Sequence, residues 1–455
     1  MLPAGAVAGW GLHPLESAAF SRRTGKAGQR SLERSALVEA VEQLSRALEQ
    51  IASLPATPAL RREQIKFQVG LANALMHVKG YAAPDTKAAV ERARTLMERA
   101  EALGEPPEDP LLLFSVLYAL WTASFVAFPG DAARDLAAQF LALADKHKAT
   151  GPLMIGHRIM GMSLMFSGDV VEGRAHYDQA VALYDPAKHR PLATRFAVDP
   201  GAANLISRSF ALWPLGYPEA ALADADHALK NARETGHAAT VMYALSWTSY
   251  PHIWCGNFTM ANARSDELVP FADEKGALLW KASGMLNKGF VLALTGKALD
   301  AVQILTSAIA AIRSTGTTLF IPSDLSLLAM AHAEIGQFDD AWRCIGEAMT
   351  TMGTTKERWF EAEVHRIAGE IAFKSPQPDA AKAETHFERA LAVARAQQAK
   401  SWELRAAMSM ARLWRDQGKR IEARDLLAPV YGWFTEGFDT LDLKEAKALL
   451  DKLHA

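Results

Sequence analysis

Cysteine is nearly absent from this sequence. Cys255 and Cys344 are the only two in 455 residues, which excludes a disulfide framework and any four-cysteine zinc site and fits a reducing compartment. Charge of one sign is lacking as well: 49 Lys and Arg stand against 51 Asp and Glu, a formal net charge of -2. No basic field is available to hold nucleic acid by counterion release. The phosphate loop G-x-x-x-x-G-K-[ST] is missing, since the TGKA segments at 24–27 and 295–298 lack the first glycine and the hydroxyl residue. They read as helix-end glycines followed by solvated lysines. HExxH and GxSxG do not occur, and the 13 histidines are scattered, without a pair at ligand spacing backed by a carboxylate. Acidic pairs such as Asp339 with Asp340 and Glu361 with Glu363 fall on amphipathic stretches, as solvated faces would. The expectation is a chain with no catalytic residues, no cofactor and no metal.

Long apolar runs are scarce too. The opening MLPAGAVAGWGL has no basic segment and is broken by Pro3 and several glycines, unlike a cleaved signal peptide. Leu111 to Phe128 carries no charge, but it holds Ser115, Tyr118, Thr122 and Ser124 and is flanked by acids. That pattern predicts a helix buried between neighbours rather than a membrane span. A cytoplasmic protein that engages neither membrane nor nucleic acid is expected.

What the sequence has in quantity is punctuation. Gly216, Gly236, Gly256, Gly276, Gly296, Gly316 and Gly336 recur every 20 positions, and glycine is the residue on which helices end in a left-handed conformation. The intervals carry apolar residues at three- and four-residue spacing, a helical period. Alternate glycines are followed five places later by Ala221, Ala261, Ala301 and Ala341, so the true period is about 40 residues. A small residue there lets two helices of a hairpin approach closely. Aromatics just past the glycine (Tyr217, Phe258, Phe338) plug the elbow. The phase extends to Gly418 with Ala423, loosens at Pro376 with Ala381, and reaches upstream to Gly161, Gly168, Gly173, Tyr177 and Ala180. This pattern predicts an all-α, right-handed superhelical solenoid of tetratricopeptide-like hairpins. The expected organisation is an irregular segment at 1–24, N-terminal hairpins at 25–150, the repeats at 151–425 and a capping segment at 426–455. In that last segment YGWFTEGFDT (431–440) forms a terminal lid or a docking loop, and Asp442 with Glu445 forms a capping box.

The most suggestive stretch is Ala238 to Cys255, which has no charged side chain and sets Tyr243, Trp247, Tyr250 and Trp254 on one helical face. Aromatics with a polar tip make rigid anchors for a peptide or small ligand. The same spacing also suits core between hairpins. Pro251 predicts a kink nearby. Trp280, Trp342 and Trp359 are further candidates for the inner surface.

Several segments, namely KAGQRSLERSA (26–36), GYAAP (80–84), ALYDPAKHR (182–190), RWFEAEVHRIAGE (358–370), QAKSWELRAAMSMARLWRDQGKR (398–420) and LLAPVYGWFTEGFDTLDLKEAKALL (426–450), resemble the C-terminal helical-repeat region of bacterial signalling proteins. In those proteins a class III adenylate or guanylate cyclase domain, or a winged-helix domain, precedes a regulatory ATPase. The resemblance spans residues 25–453 but brings no catalytic motif with it. It implies a non-catalytic interaction and regulatory module in signal transduction, detached from such a parent. The implied partner is a protein or peptide segment, including a cyclase or ATPase domain. Repeats of this kind also bind small-molecule effectors in the superhelical groove, which is the alternative reading.

Overall fold

The computed structural model describes residues 14–34, 36–105, 109–128 and 131–454, and every regular element among them is helical. Helices alternate between an inner and an outer position. Inner helices such as Leu111–Ala127, Thr150–Ser167, Leu278–Leu294, Ile321–Glu334 and Glu361–Lys374 are buried over most of their circumference. Their outer partners bury one stripe: in Ala298–Ser314 it is Ala298, Ala301, Leu305, Ala308, Ile309 and Ile312. A hairpin of this kind cannot cover its own inner face, so stacking supplies the core.

The sequence period is the structural period. All seven glycines from Gly216 to Gly336 lie at φ between 63° and 92°. The four alanines in phase with them, Ala221, Ala261, Ala301 and Ala341, are 0% exposed. One repeat departs from the expectation. At the loosened elbow Ala381 is exposed and Ala383 is the 0% exposed residue. The chain there runs through a longer turn, and Asp379 accepts the Lys382 amide at 2.9 Å to start the next helix. The TGKA at 24–27 also differs from its reading: Gly25 sits inside helix Pro14–Glu33, where a Cβ would come within 2.1 Å of the Phe67 ring. It marks a helix crossing. That helix runs through the boundary expected at 24/25, and the boundary at 425/426 falls inside helix Arg420–Tyr431. Residues 1–13 of the expected irregular segment lie outside the described residues.

The uncharged stretch from Leu111 is the buried helix Leu111–Ala127, and no described helix is long and apolar enough to cross a membrane. The aromatic stretch is two helices, Ala238–Trp247 and Ser249–Trp254. The break falls where Pro251 demands it, because the ring removes a donor and crowds the carbonyl four residues back, that of Trp247. Arg264 stabilises the joint by donating to the Thr248 carbonyl at 2.6 Å.

Successive superhelical turns touch. The inner helices end on carbonyls with no intrahelical donor, and the next turn supplies one. Thr318 and Leu319 amides donate to the Val126 carbonyl at 2.9 and 3.0 Å, and the Arg358 amide to Phe166 at 2.8 Å. The Ser401 amide reaches Pro214 at 3.0 Å and the Leu441 amide reaches Cys255 at 3.3 Å. The Thr318 hydroxyl bonds a carbonyl 191 residues away and the Ser401 hydroxyl one 188 residues away. Inner aromatics of the two turns meet accordingly, with Trp213 and Trp402 centroids 4.6 Å apart and Phe166 and Phe320 5.4 Å apart.

The C-terminal segment docks on the turn below. Glu436 accepts the Ala220 amide at 3.0 Å, and the Gly437 amide donates to Glu219 at 2.7 Å. The capping box is not formed: the last helix begins at Leu441, and Asp442 instead accepts Arg405 Nε at 2.8 Å.

Candidate functional site: an aromatic chamber on the superhelix axis

Because the inner surfaces of two turns face each other, the space between them is a chamber rather than a groove. Its cavity volume is about 90 Å³, and it opens to a mouth rather than being sealed. The helices Leu111–Ala127, Thr150–Ser167, Ala238–Trp247, Leu278–Leu294 and Ile321–Glu334 each contribute to the wall, through Tyr118, Arg158, Tyr243, Trp280 and Asp324 among others. Phe320, held at φ 69° just before its helix, forms one end. It stacks on Tyr250 at 5.3 Å and meets Phe166, Trp247 and Trp359 edge-on. Beyond it lies a second cavity lined by Trp254, Trp359, Glu363, Arg366, Arg405 and Asp442, with Tyr250 shared between the two.

All five residues singled out for ligand or partner binding are drawn to these spaces. Tyr243, Trp247, Tyr250 and Trp280 line the chamber; Trp254 lines the second cavity. Four of them are buried, at 6% (Tyr243), 8% (Tyr250), 6% (Trp254) and 3% (Trp280) exposure, and Trp247 is half-buried. The rings pack as core and border a cavity at once. Trp359 belongs to the second cavity. Trp342 does not face inward: it lies on the outer helix Phe338–Thr355, with the Lys382 ammonium 3.5 Å above its ring.

The polar groups of the chamber had no sequence signal. Arg158 is 2% exposed. It donates to the Tyr118 hydroxyl at 3.2 Å and lies 3.7 Å from the Met162 sulfur, and its Nε has no partner. Asp324 is 0% exposed, with Oδ2 unpartnered; burial, with Glu357 close by, pushes its carboxyl well above the ordinary range. Burial likewise raises Glu357 to about 8, although it accepts the Trp359 indole at 2.7 Å and the Phe320 amide at 3.2 Å. The chamber thus holds a buried cation and a buried acid whose neutral form burial favours. Behind Trp280, whose indole reaches His77 at 3.4 Å, burial depresses that imidazole to about 3, so it stays neutral.

The second cavity has the opposite character. Arg366 is held by Glu363 at 2.7 and 2.8 Å and approaches Glu370 at 3.4 Å; Arg405 bonds Asp442 and the Trp254 carbonyl at 2.8 and 3.0 Å. Burial alone would raise the Glu363 carboxyl, but Arg366 and Arg405 hold it below the ordinary range. Its charges neutralise one another. Two histidine pairs were also missed in the sequence, His157 with His176 (Nδ1 to Nδ1 2.9 Å) and His365 with His386 (3.4 Å). Each joins an inner helix to its outer partner at spacings of 19 and 21 residues, too far apart to register as a ligand motif. Among the described residues no cluster of three or more metal-ligating side chains occurs.

No known family profile matches the sequence, and no curated protein sequence does. Solved structures do match in fold. A Rap protein complexed with Competence and Sporulation Factor is similar over 86% of this chain and 99% of its own, at TM-score 0.55 and 12% identity. A Rap conjugation gene regulator in complex with a Phr* peptide (TM-score 0.48, 10% identity, 86% and 96% covered) is more distantly alike. So is the quorum sensor NprR of B. thuringiensis in its apo form (TM-score 0.47, 12% identity, 81% and 98% covered). The chain is an all-helical solenoid of tetratricopeptide-like repeats.

Proposed function

We propose that this chain is a non-catalytic regulatory module that receives a small-molecule effector in the axial chamber and transmits its occupancy to a protein partner. The observation that carries this reading is the chamber itself: an aromatic cavity bordered by helices of both superhelical turns, containing a buried cation and a buried acid without full complements of partners. A ligand there would touch both turns at once, and differential affinity for the closed arrangement is what regulation requires. The inner face favours an effector over a long protein segment, because the chain's own next turn already covers much of it. A solenoid of this fold holding a bound factor is precedented by the Rap protein complex, an analogy of architecture alone. The resemblance to repeat regions of cyclase and ATPase signalling proteins supports such a domain as the partner.

The test is to purify the chain from its native cytoplasm, denature it and identify released small molecules by mass spectrometry, with a pull-down for proteins in parallel. Near-stoichiometric recovery of a metabolite, reduced in a Trp247→Ala variant, is the expected result. Recovery of a protein alone, undiminished by that variant, would return the module to a purely protein-docking role.

A further inference from the structure

Two inner helices of this solenoid carry the same local sequence. His157-Arg158-Ile159 with Gly161 in helix Thr150–Ser167 matches His365-Arg366-Ile367 with Gly369 in helix Glu361–Lys374. Their outer partners match too, His176-Tyr177 against His386-Phe387, and each aromatic packs against its glycine. Arg158 and Arg366 therefore occupy equivalent places, each pointing to the axis and lining a cavity.

They differ in what surrounds them. Arg366 has a glutamate three residues before and another four residues after, Glu363 and Glu370, and both bond it. At the same offsets Arg158 has Ile155 and Met162. The buried guanidinium is left with a phenol, a thioether and an unpartnered Nε. Leaving a charge in a protein interior without a counter-ion is costly, and native interiors rarely do so. A guanidinium matches a carboxylate bidentately, and the wall beside it is Tyr118, Trp121, Tyr243 and Trp280.

We infer that the effector is an organic carboxylate with an apolar, ring-bearing body, its carboxylate taking at Arg158 the place that Glu363 and Glu370 fill at Arg366. Asp324, also in the wall and with Oδ2 unpartnered, faces a polar group on the ligand body. This rests on the effector reading above and gives it a chemical class.

The experiment uses the full chain and three probes of one shape, 4-phenylbutyrate, 4-phenylbutanol and 4-phenylbutylamine, followed by calorimetry and thermal midpoint. The expected result is that the carboxylate binds best, and that Arg158→Met weakens it roughly 10- to 100-fold, the range for losing a charge-assisted bond, while leaving the alcohol unchanged. A second variant, Met162→Glu, installs the internal counter-ion of the equivalent helix. It should raise the midpoint of the ligand-free chain and abolish carboxylate binding. Equal binding of alcohol and carboxylate, insensitive to both variants, would overturn the carboxylate inference while leaving an effector chamber. Binding of no probe, with Arg158→Met lowering the midpoint, would overturn both and make Arg158 a structural residue.

Discussion

The helices bearing Arg158 and Arg366 are one design put to two uses. Around Arg366 the chain supplies Glu363, Glu370, Arg405 and Asp442 and closes a buried ionic network; around Arg158 it supplies Ile155, Met162 and aromatic rings and closes nothing. The same scaffold is thus self-satisfied near its C-terminal end and open-valenced further upstream. Burial of charge is a cost in both, and only the first offsets it internally. A binding site in a repeat protein is found by asking which repeat has lost the partners its siblings keep.

The comparison can be broken most forcefully from the closed side. Glu363→Ala takes the shared carboxylate from Arg366 and Arg405, which keep Glu370 and Asp442, and should cost about 3 kcal/mol in denaturant unfolding, the low end for breaking a buried pair. A loss under about 1 kcal/mol would mean that the network is not a unit.

Next in size is a pH effect at the plug between the cavities. Glu357 is raised to about 8, so between its unfolded value and 8 the folded chain holds a proton that the unfolded chain releases. Above the ordinary histidine range, stability should therefore fall as pH rises toward 8, with a slope approaching about 1.4 kcal/mol per pH unit. Glu357→Gln should flatten it. On the acid side the sign reverses: burial, chiefly, and the neighbouring His386 depress His365 to about 4. Its contribution is then lost as pH falls from the ordinary histidine range toward 4. Unfolding series at closely spaced pH values, with His365→Gln alongside, would separate the two arms.

A subtler contrast concerns the glycines. A Cβ on Gly161 would lie 2.8 Å from the Gly173 carbonyl oxygen as well as 2.6 Å from the Tyr177 ring, whereas on Gly369 it meets first the Phe387 ring at 2.4 Å. A backbone atom yields less than a ring, so Gly161→Ala should cost about 1 to 3 kcal/mol and exceed Gly369→Ala in the same assay. Smallest of all should be Arg158→Met in the ligand-free chain, within about 1 kcal/mol of wild type, since replacing a buried unpaired charge by an apolar side chain of similar length is often neutral.

The repeat was legible because it is local. A glycine elbow and a small residue five places later are set by backbone strain and helix–helix approach, which leave their mark at fixed spacing. Pro251 announced the break at Trp247 for the same reason. The aromatic stripe was legible as a face, and Trp280 as an addition to it. Arg158 and Asp324 were not, because an arginine or aspartate in a helix gives no sign of whether the residues it faces on other helices will be carboxylates or rings. Nor could Asp442 be told from a helix cap until Arg405 claimed it. The histidine pairs joined helices whose register is set by tertiary packing rather than by spacing in the chain.

The carbonyls of Val126, Phe166, Pro214 and Cys255, answered by amides one superhelical turn later, alter how the whole solenoid should come apart. In a simple repeat array each unit leans only on its neighbours and the ends fray independently. Here the 188- and 191-residue links stitch each early repeat to one a superhelical turn later, so loss of the later repeats would unseat the ones they bond, and melting should proceed as a single cooperative event. A molecule lodged on the axis would then be released by that event as a whole, its exchange governed by the opening of the coil and not by the motion of any one loop.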